Sequence, residues 1–103
     1  MNSVMSALQP DIEVRVRLLT PEEGGRRTPI VGASYGCPLF FDGSGFDCRI
    51  VNDHQLNLTL GETHYLALQF LNPDLVLPRL NEGAKITLWE GKTIAEGEVT
   101  KVF

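Results

Sequence analysis

The segment Ile12-Glu13-Val14-Arg15-Val16-Arg17-Leu18 alternates apolar and charged residues without a break. Successive side chains of an extended strand point to opposite faces, so this pattern buries one face and wets the other. The same requirement recurs down the chain. Residues 39–41 (LFF) are short and aromatic, Phe46, Cys48 and Ile50 alternate with Asp47 and Arg49, 65–71 is a nearly continuous apolar run around Gln69, and 86–89 and 94–102 supply two more strands. Between them lie DGSG at 42–45, VNDH at 51–54, NPD at 72–74, NEG at 81–83 and EGK at 90–92, all rich in turn-forming residues. No stretch shows the period of a long amphipathic helix.

Six or so short strands with no helical crossover predict an all-β domain. The expected form is a small antiparallel barrel or sandwich, with barrel closure favoured because it removes the unpaired edges that short strands would otherwise expose. The predicted core includes Val14, Val16, Phe46, Leu68 and Ile86. Glu90-Gly91-Lys92 reads as the tight connection of the last hairpin, with Gly91 supplying a positive φ. Residues 1–10 read as a loose lead-in ending at Pro10, and 11–103 as one domain.

Composition narrows the function. A chain of 103 residues that is 43% hydrophobic can build one core unaided. Its net charge of -4 gives no overall basic field for holding phosphates, so any nucleic-acid contact must be local. Cys37 and Cys48 form no CxxC and have no flanking histidines, which spells neither a zinc site nor a redox motif and fits a reduced cytosolic pair. The N-terminal MNSVMSALQPDI lacks a basic region followed by a long apolar stretch, and no run reaches the roughly 18 apolar residues of a membrane span. The expectation is a cytoplasmic protein with no membrane association.

The most unusual stretch is Thr20-Pro21-Glu22-Glu23-Gly24-Gly25-Arg26-Arg27-Thr28-Pro29. Prolines, paired glycines and four charges exclude it from the core. Arg26 and Arg27 offer forked donors suited to phosphate or carboxylate. The competing reading pairs them locally with Glu22 and Glu23 across the Gly-Gly turn.

Three motifs together carry a resemblance. They are the opening strand followed by Glu23-Gly24-Gly25-Arg26-Arg27-Thr28-Pro29, the aromatic segment 35–41 (YGCPLFF), and the terminal run 89–102 (WEGKTIAEGEVTKV). With the Leu71-Asn72-Pro73 step, they make the chain resemble the third, C-terminal β-barrel domain of translation elongation factor Tu from about Asp11 to Phe103. That resemblance implies an all-β fold, a small closed six-stranded antiparallel Greek-key barrel, that meets proteins and lies along the T stem of aminoacyl-tRNA. It puts the RNA-facing surface at Arg26, Arg27, Thr28, Glu90 and Gly91. The chain departs from the family at Gly36, where an arginine is usual, at Pro38 for a glutamine, and at Asn72 for a basic residue, so tRNA contact is expected to be weak. The sequence contains no GxxxxGK[ST] phosphate loop, so neither nucleotide binding nor GTP hydrolysis is expected.

The function expected from these features is that of a non-enzymatic module mediating protein-protein interaction through the 24–29 loop and the last hairpin. Its alternative is a translation-related RNA-binding module that touches tRNA phosphates. No cofactor or metal ligand set is expected, and the oligomeric state, monomer or homodimer, is left open. His54 and His64 sit in no catalytic motif. Cys48 reads as a small core residue, and Cys37, beside Pro38, is the more exposed thiol. Trp89 is either a partner anchor or half of a cross-strand aromatic pair. The apolar run 73–78 (PDLVLP) is expected to be a loop that either caps the barrel or docks on another protein.

Overall fold

β1, Ile12–Leu18, is the strand on which the sheet closes, and its apolar residues Ile12, Val14, Val16 and Leu18 are all at most 1% exposed. The computed structural model describes residues 9–103, so most of the expected lead-in lies outside the described residues. Along the chain follow β2 (Ile30–Gly32), β3 (Gly36–Phe41), β4 (Ser44–Ile50), β5 (Leu56–Leu58), β6 (Thr63–Phe70), β7 (Lys85–Trp89) and β8 (Thr93–Val102). Six of them form a closed barrel in the order β1-β6-β4-β3-β7-β8, with every neighbouring pair antiparallel. β3, β4 and β6 run as a meander and β1 lies beside β6, which is the Greek-key arrangement.

Closure depends on a close approach. Opposite Val16 on β1 stands Gly97 of β8, where a Cβ would come within 1.9 Å of the Arg15 carbonyl oxygen. Only a residue without a side chain lets the last strand lie there. A few residues on, the register shifts and leaves Thr100 as the extra residue of a β-bulge. Its hydroxyl donates 2.7 Å to the Glu13 carboxylate, which ties the bulge back to β1.

The predicted core is present, with one correction. Val14, Val16, Leu68 and Ile86 are buried, whereas Phe46 is only half-buried. The reason is its place in the ladder: β4 pairs with β6 only from Cys48 to Ile50, so Phe46 lies beyond that contact at the end of the barrel. The apolar run 65–71 also divides by strand parity. Leu66, Leu68 and Phe70 face inward, Tyr65 is 64% exposed, and Leu71 lies past the strand end at 72%.

Two features differ from expectation. β2 and β5 form a separate two-stranded ribbon pairing Ile30 with Leu58 and Gly32 with Leu56. Residues 73–78 are not an open loop: Pro73–Val76 form a helical turn, α1, followed by a 3₁₀ turn at Leu77–Arg79. Proline is pre-organised for the first helical position, so the NPD expected as a turn opens a helix instead. Val76 is fully buried and Leu80 nearly so, which makes this segment the plug of one barrel mouth. Arg79 secures it, with its guanidinium 5.9 Å from the Phe41 ring centre, 5.5 Å from that of Phe46, and 3.5 Å from the Asp42 carboxylate.

Replacing Gly97 by alanine is expected to destabilise the fold by about 3 kcal/mol or more, since backbone of β1 must move to admit the methyl group. Denaturant titration of Gly97→Ala against wild type measures this, and a change below about 0.5 kcal/mol would show that the seam is looser than described.

Candidate functional site

The loop that follows β1 is shaped by its own acid. Within the 3₁₀ turn Pro21–Glu23, the Glu23 carboxylate accepts from the Thr20 amide at 2.9 Å and from the Arg17 guanidinium at 3.1 and 2.9 Å. Gly24 then takes φ 88°, a left-handed conformation that favours glycine. Gly25 is needed for a different reason: a Cβ there would lie 2.4 Å from the Leu19 carbonyl oxygen. The two glycines fold the loop tightly onto the barrel wall, and the chain leaves them at Arg26.

Arg26 does not meet the neighbouring acids. Its Nη1 donates to both oxygens of Glu90, at 2.7 and 2.6 Å, across 64 positions of sequence. Its Nε donates to the Thr28 carbonyl at 3.1 Å, which holds the guanidinium within its own loop. The Tyr35 hydroxyl donates to the second Glu90 oxygen at 2.5 Å, and the guanidinium lies 5.7 Å from the Tyr35 ring centre. Burial, followed by the hydrogen bond to the Glu90 carboxylate, pushes the Tyr35 phenol above its ordinary range, so it remains a donor. A four-residue staple of Arg26, Thr28, Tyr35 and Glu90 thus joins the GGRRTP loop to the last hairpin.

This corrects the local pairing considered from sequence. Glu23 turns back to Arg17 on β1, and among the described residues neither Glu22 nor Glu23 pairs with Arg26 or Arg27. Tyr35 is the member of the cluster that sequence reasoning missed. It stands 55 positions from Glu90, and no spacing rule marks such a contact.

The remaining candidates surround the staple. Arg27 and Thr28 are exposed, and among the described residues Arg27 makes no ion pair. Gly91 sits at the hairpin turn with φ 73°, and Lys92 beside it is exposed. Trp89 is 40% exposed while its ring lies 5.8 Å from Phe40, tilted by 55°. This tryptophan is therefore half of an aromatic pair, with part of its surface left exposed. Arg27 and Trp89 are the chain neighbours of the two ion-paired residues, Arg26 and Glu90.

The histidines lie elsewhere. His54 Nδ1 is 2.5 Å from Asp53, its immediate neighbour, and both are largely solvent-exposed. The His64 Nε2–H donates to the Thr59 carbonyl at 2.9 Å. Among the described residues, no group of three or more His, Cys, Asp or Glu side chains is placed to hold a metal ion, and no helix is long and apolar enough to cross a membrane.

The staple predicts coupling. Arg26→Ala and Glu90→Ala, combined in a double-mutant cycle, are expected to show about 1 kcal/mol of interaction, at the upper end for partly exposed pairs. Additive effects in denaturant unfolding would show that the contact contributes nothing. The Glu23 carboxyl is lowered from 4.5 to about 2, mainly by its hydrogen bond to Arg17 and then by the Thr20 amide. A depressed folded-state value favours the charged form, so its stabilisation is present above pH 4.5 and is lost as pH falls toward 2. Glu23→Gln should therefore lower Tm at pH 6 but converge on wild type at pH 2, and a difference that does not shrink on acidification would contradict this.

Compared with known proteins, the chain matches no family model, and no curated protein matches it significantly.

Proposed function

We propose that this chain is a non-enzymatic protein-binding module of the elongation factor Tu third-domain kind, working in the cytoplasm without nucleotide or cofactor. The observation that carries the reading is the staple. It joins two segments 64 positions apart, and the residues next to its two ends in the chain, Arg27 beside Arg26 and Trp89 beside Glu90, are exposed and half-exposed. Tryptophan and arginine are the residues that most often dominate the energy of protein interfaces. A surface already held in position loses less freedom on association than a loose loop would. The closed six-stranded Greek-key barrel is also the architecture that the motif resemblance implies.

A second reading is contact with tRNA phosphates, and Arg27 with Lys92 favours it, since both are exposed and they belong to the loop and the hairpin that the staple joins. Against it, Arg26 is already committed to a carboxylate, which removes one of the two cations the loop offered. The overall charge of -4 adds no long-range attraction.

Trp89→Ala and Arg27→Ala are expected to lose a partner retained by the wild-type protein in pull-down, each with at least a tenfold loss of affinity, with little change in melting temperature for Arg27→Ala and a fall of a few degrees for Trp89→Ala through the lost pair with Phe40. Retention of every partner by both variants would show that the binding surface lies elsewhere. For the RNA reading, binding to tRNA should fall steeply as salt rises, with a slope reduced by about one in Arg27→Ala. Undetectable tRNA binding at low salt would exclude it.

A further inference from the structure

Cys37 on β3 and Cys48 on β4 are direct partners in the antiparallel ladder. Facing residues in such a ladder project to the same side of the sheet. Two rungs away, the Ile50 amide donates to the Tyr35 carbonyl at 3.0 Å, which marks Tyr35 and Ile50 as a hydrogen-bonded pair. Pair types alternate, so Cys37 and Cys48 share that type, with a Cα separation of about 5.5 Å. A disulfide requires roughly 4.4–6.8 Å and most often spans 5.5–6 Å. Pro38 fits the same count: it falls on the intervening rung, where the missing amide takes nothing from the bonding to β4.

The Cys48 Sγ–H donates to the Cys37 carbonyl at 3.3 Å, so its sulfur lies against the Cys37 backbone. Both cysteines are free. They also line an open groove of about 740 Å³ on the barrel wall, together with Gly36, Pro38, Arg49 and Phe70. The groove gives a small molecule a route to Cys37, the half-buried member, while Cys48 is 7% exposed.

We propose that Cys37 and Cys48 form an oxidisable dithiol, a modification site that a small disulfide such as oxidised glutathione converts to an intramolecular cross-strand disulfide. Cys37 gives its proton to solvent and its sulfur attacks one sulfur of the small disulfide, forming a mixed disulfide and releasing one thiolate. Cys48 then loses its proton and attacks the Cys37 sulfur, releasing the second thiolate. The protein dithiol gives up two electrons, and one small disulfide becomes two small thiols.

Two consequences follow from the surroundings. Burial pushes the Cys37 thiol up to about 11 and that of Cys48 up to about 12, so thiolate is scarce at neutral pH and the exchange is slow. The link would also clamp the hairpin whose tip carries Asp42, Phe41 and Phe46, the residues that hold the Arg79 plug.

The test is incubation of the fully reduced protein with oxidised glutathione at mildly alkaline pH, followed by alkylation and intact-mass analysis. The expected product has lost two hydrogen atoms, takes up no alkylating agent, and yields a linked peptide pair containing residues 37 and 48. Its Tm should rise by roughly 10 °C and return to the starting value after reduction. Cys48→Ala, checked for folding by its melting transition, should instead stop as a glutathione adduct on Cys37. A wild-type protein that stalls at that adduct, keeps both thiols alkylatable, dimerises through disulfides, or melts lower when oxidised would overturn the proposal, and none of these readings depends on the variant.

Discussion

Closure of the sheet rests on a place where a side chain is missing. Gly97 lets β8 lie against β1 at a distance that even a methyl group would forbid, and the bulge at Thr100 re-aims the strand immediately afterwards. Without that seam β1 would keep only β6 as a neighbour, and its buried face of Ile12, Val14, Val16 and Leu18 would be open along one side. The barrel mouth, its plug and the external staple all depend on the cylinder being shut. The constraint is steric, yet its effect is on hydrophobic burial, since shutting the cylinder removes the apolar interior from water.

The exterior shows a second use of close contact. Arg26, Glu90 and Tyr35 satisfy one another at short distances, and the result is a surface whose central charges are neutral and fixed. This arrangement trades electrostatic reach for shape. A partner meeting it would find an indole, a lone guanidinium and two rigid turns in place of a loose diarginine loop. The Gly24-Gly25 pair makes the exchange sterically feasible by letting the chain press against Leu19 before Arg26 departs.

What the sequence showed depended on whether water lay on one side. β1 was legible over its full length because each inward residue is apolar and each outward one is charged, and Phe46 to Ile50 follows the same rule, while around Ile86 the inward residues are apolar but the outward ones are Lys85, Thr87 and Trp89. β2 and β5 were not legible, since three residues contain too little alternation to register as a period. The run 73–78 resisted assignment because its apolar residues answer to a barrel mouth built by other strands. Phe46 was placed in the core by parity and reaches only its edge, because parity gives the face of a strand and says nothing of position along it. At the staple, Arg26, Thr28 and Glu90 could be singled out, but Tyr35 and the pairing of all four could not. Glu22 and Glu23 were the nearer acids in sequence, and only the fold sends Glu23 to Arg17 and brings Glu90 to Arg26.

The position of β1 also governs the order in which the molecule can assemble. Its ladder partners are β6 and β8, so the first strand made has no neighbour to pair with until more than half the domain has been synthesised, and its second partner is the last strand of all. During translation the early alternating segment must wait in solution with an unsatisfied apolar face, and the hairpin of β3 and β4 is the first barrel piece able to form from adjacent sequence. The charged residues Glu13, Arg15 and Arg17 on its outward face then serve before assembly as well as after it, because they keep that face compatible with water while the strand is unpaired.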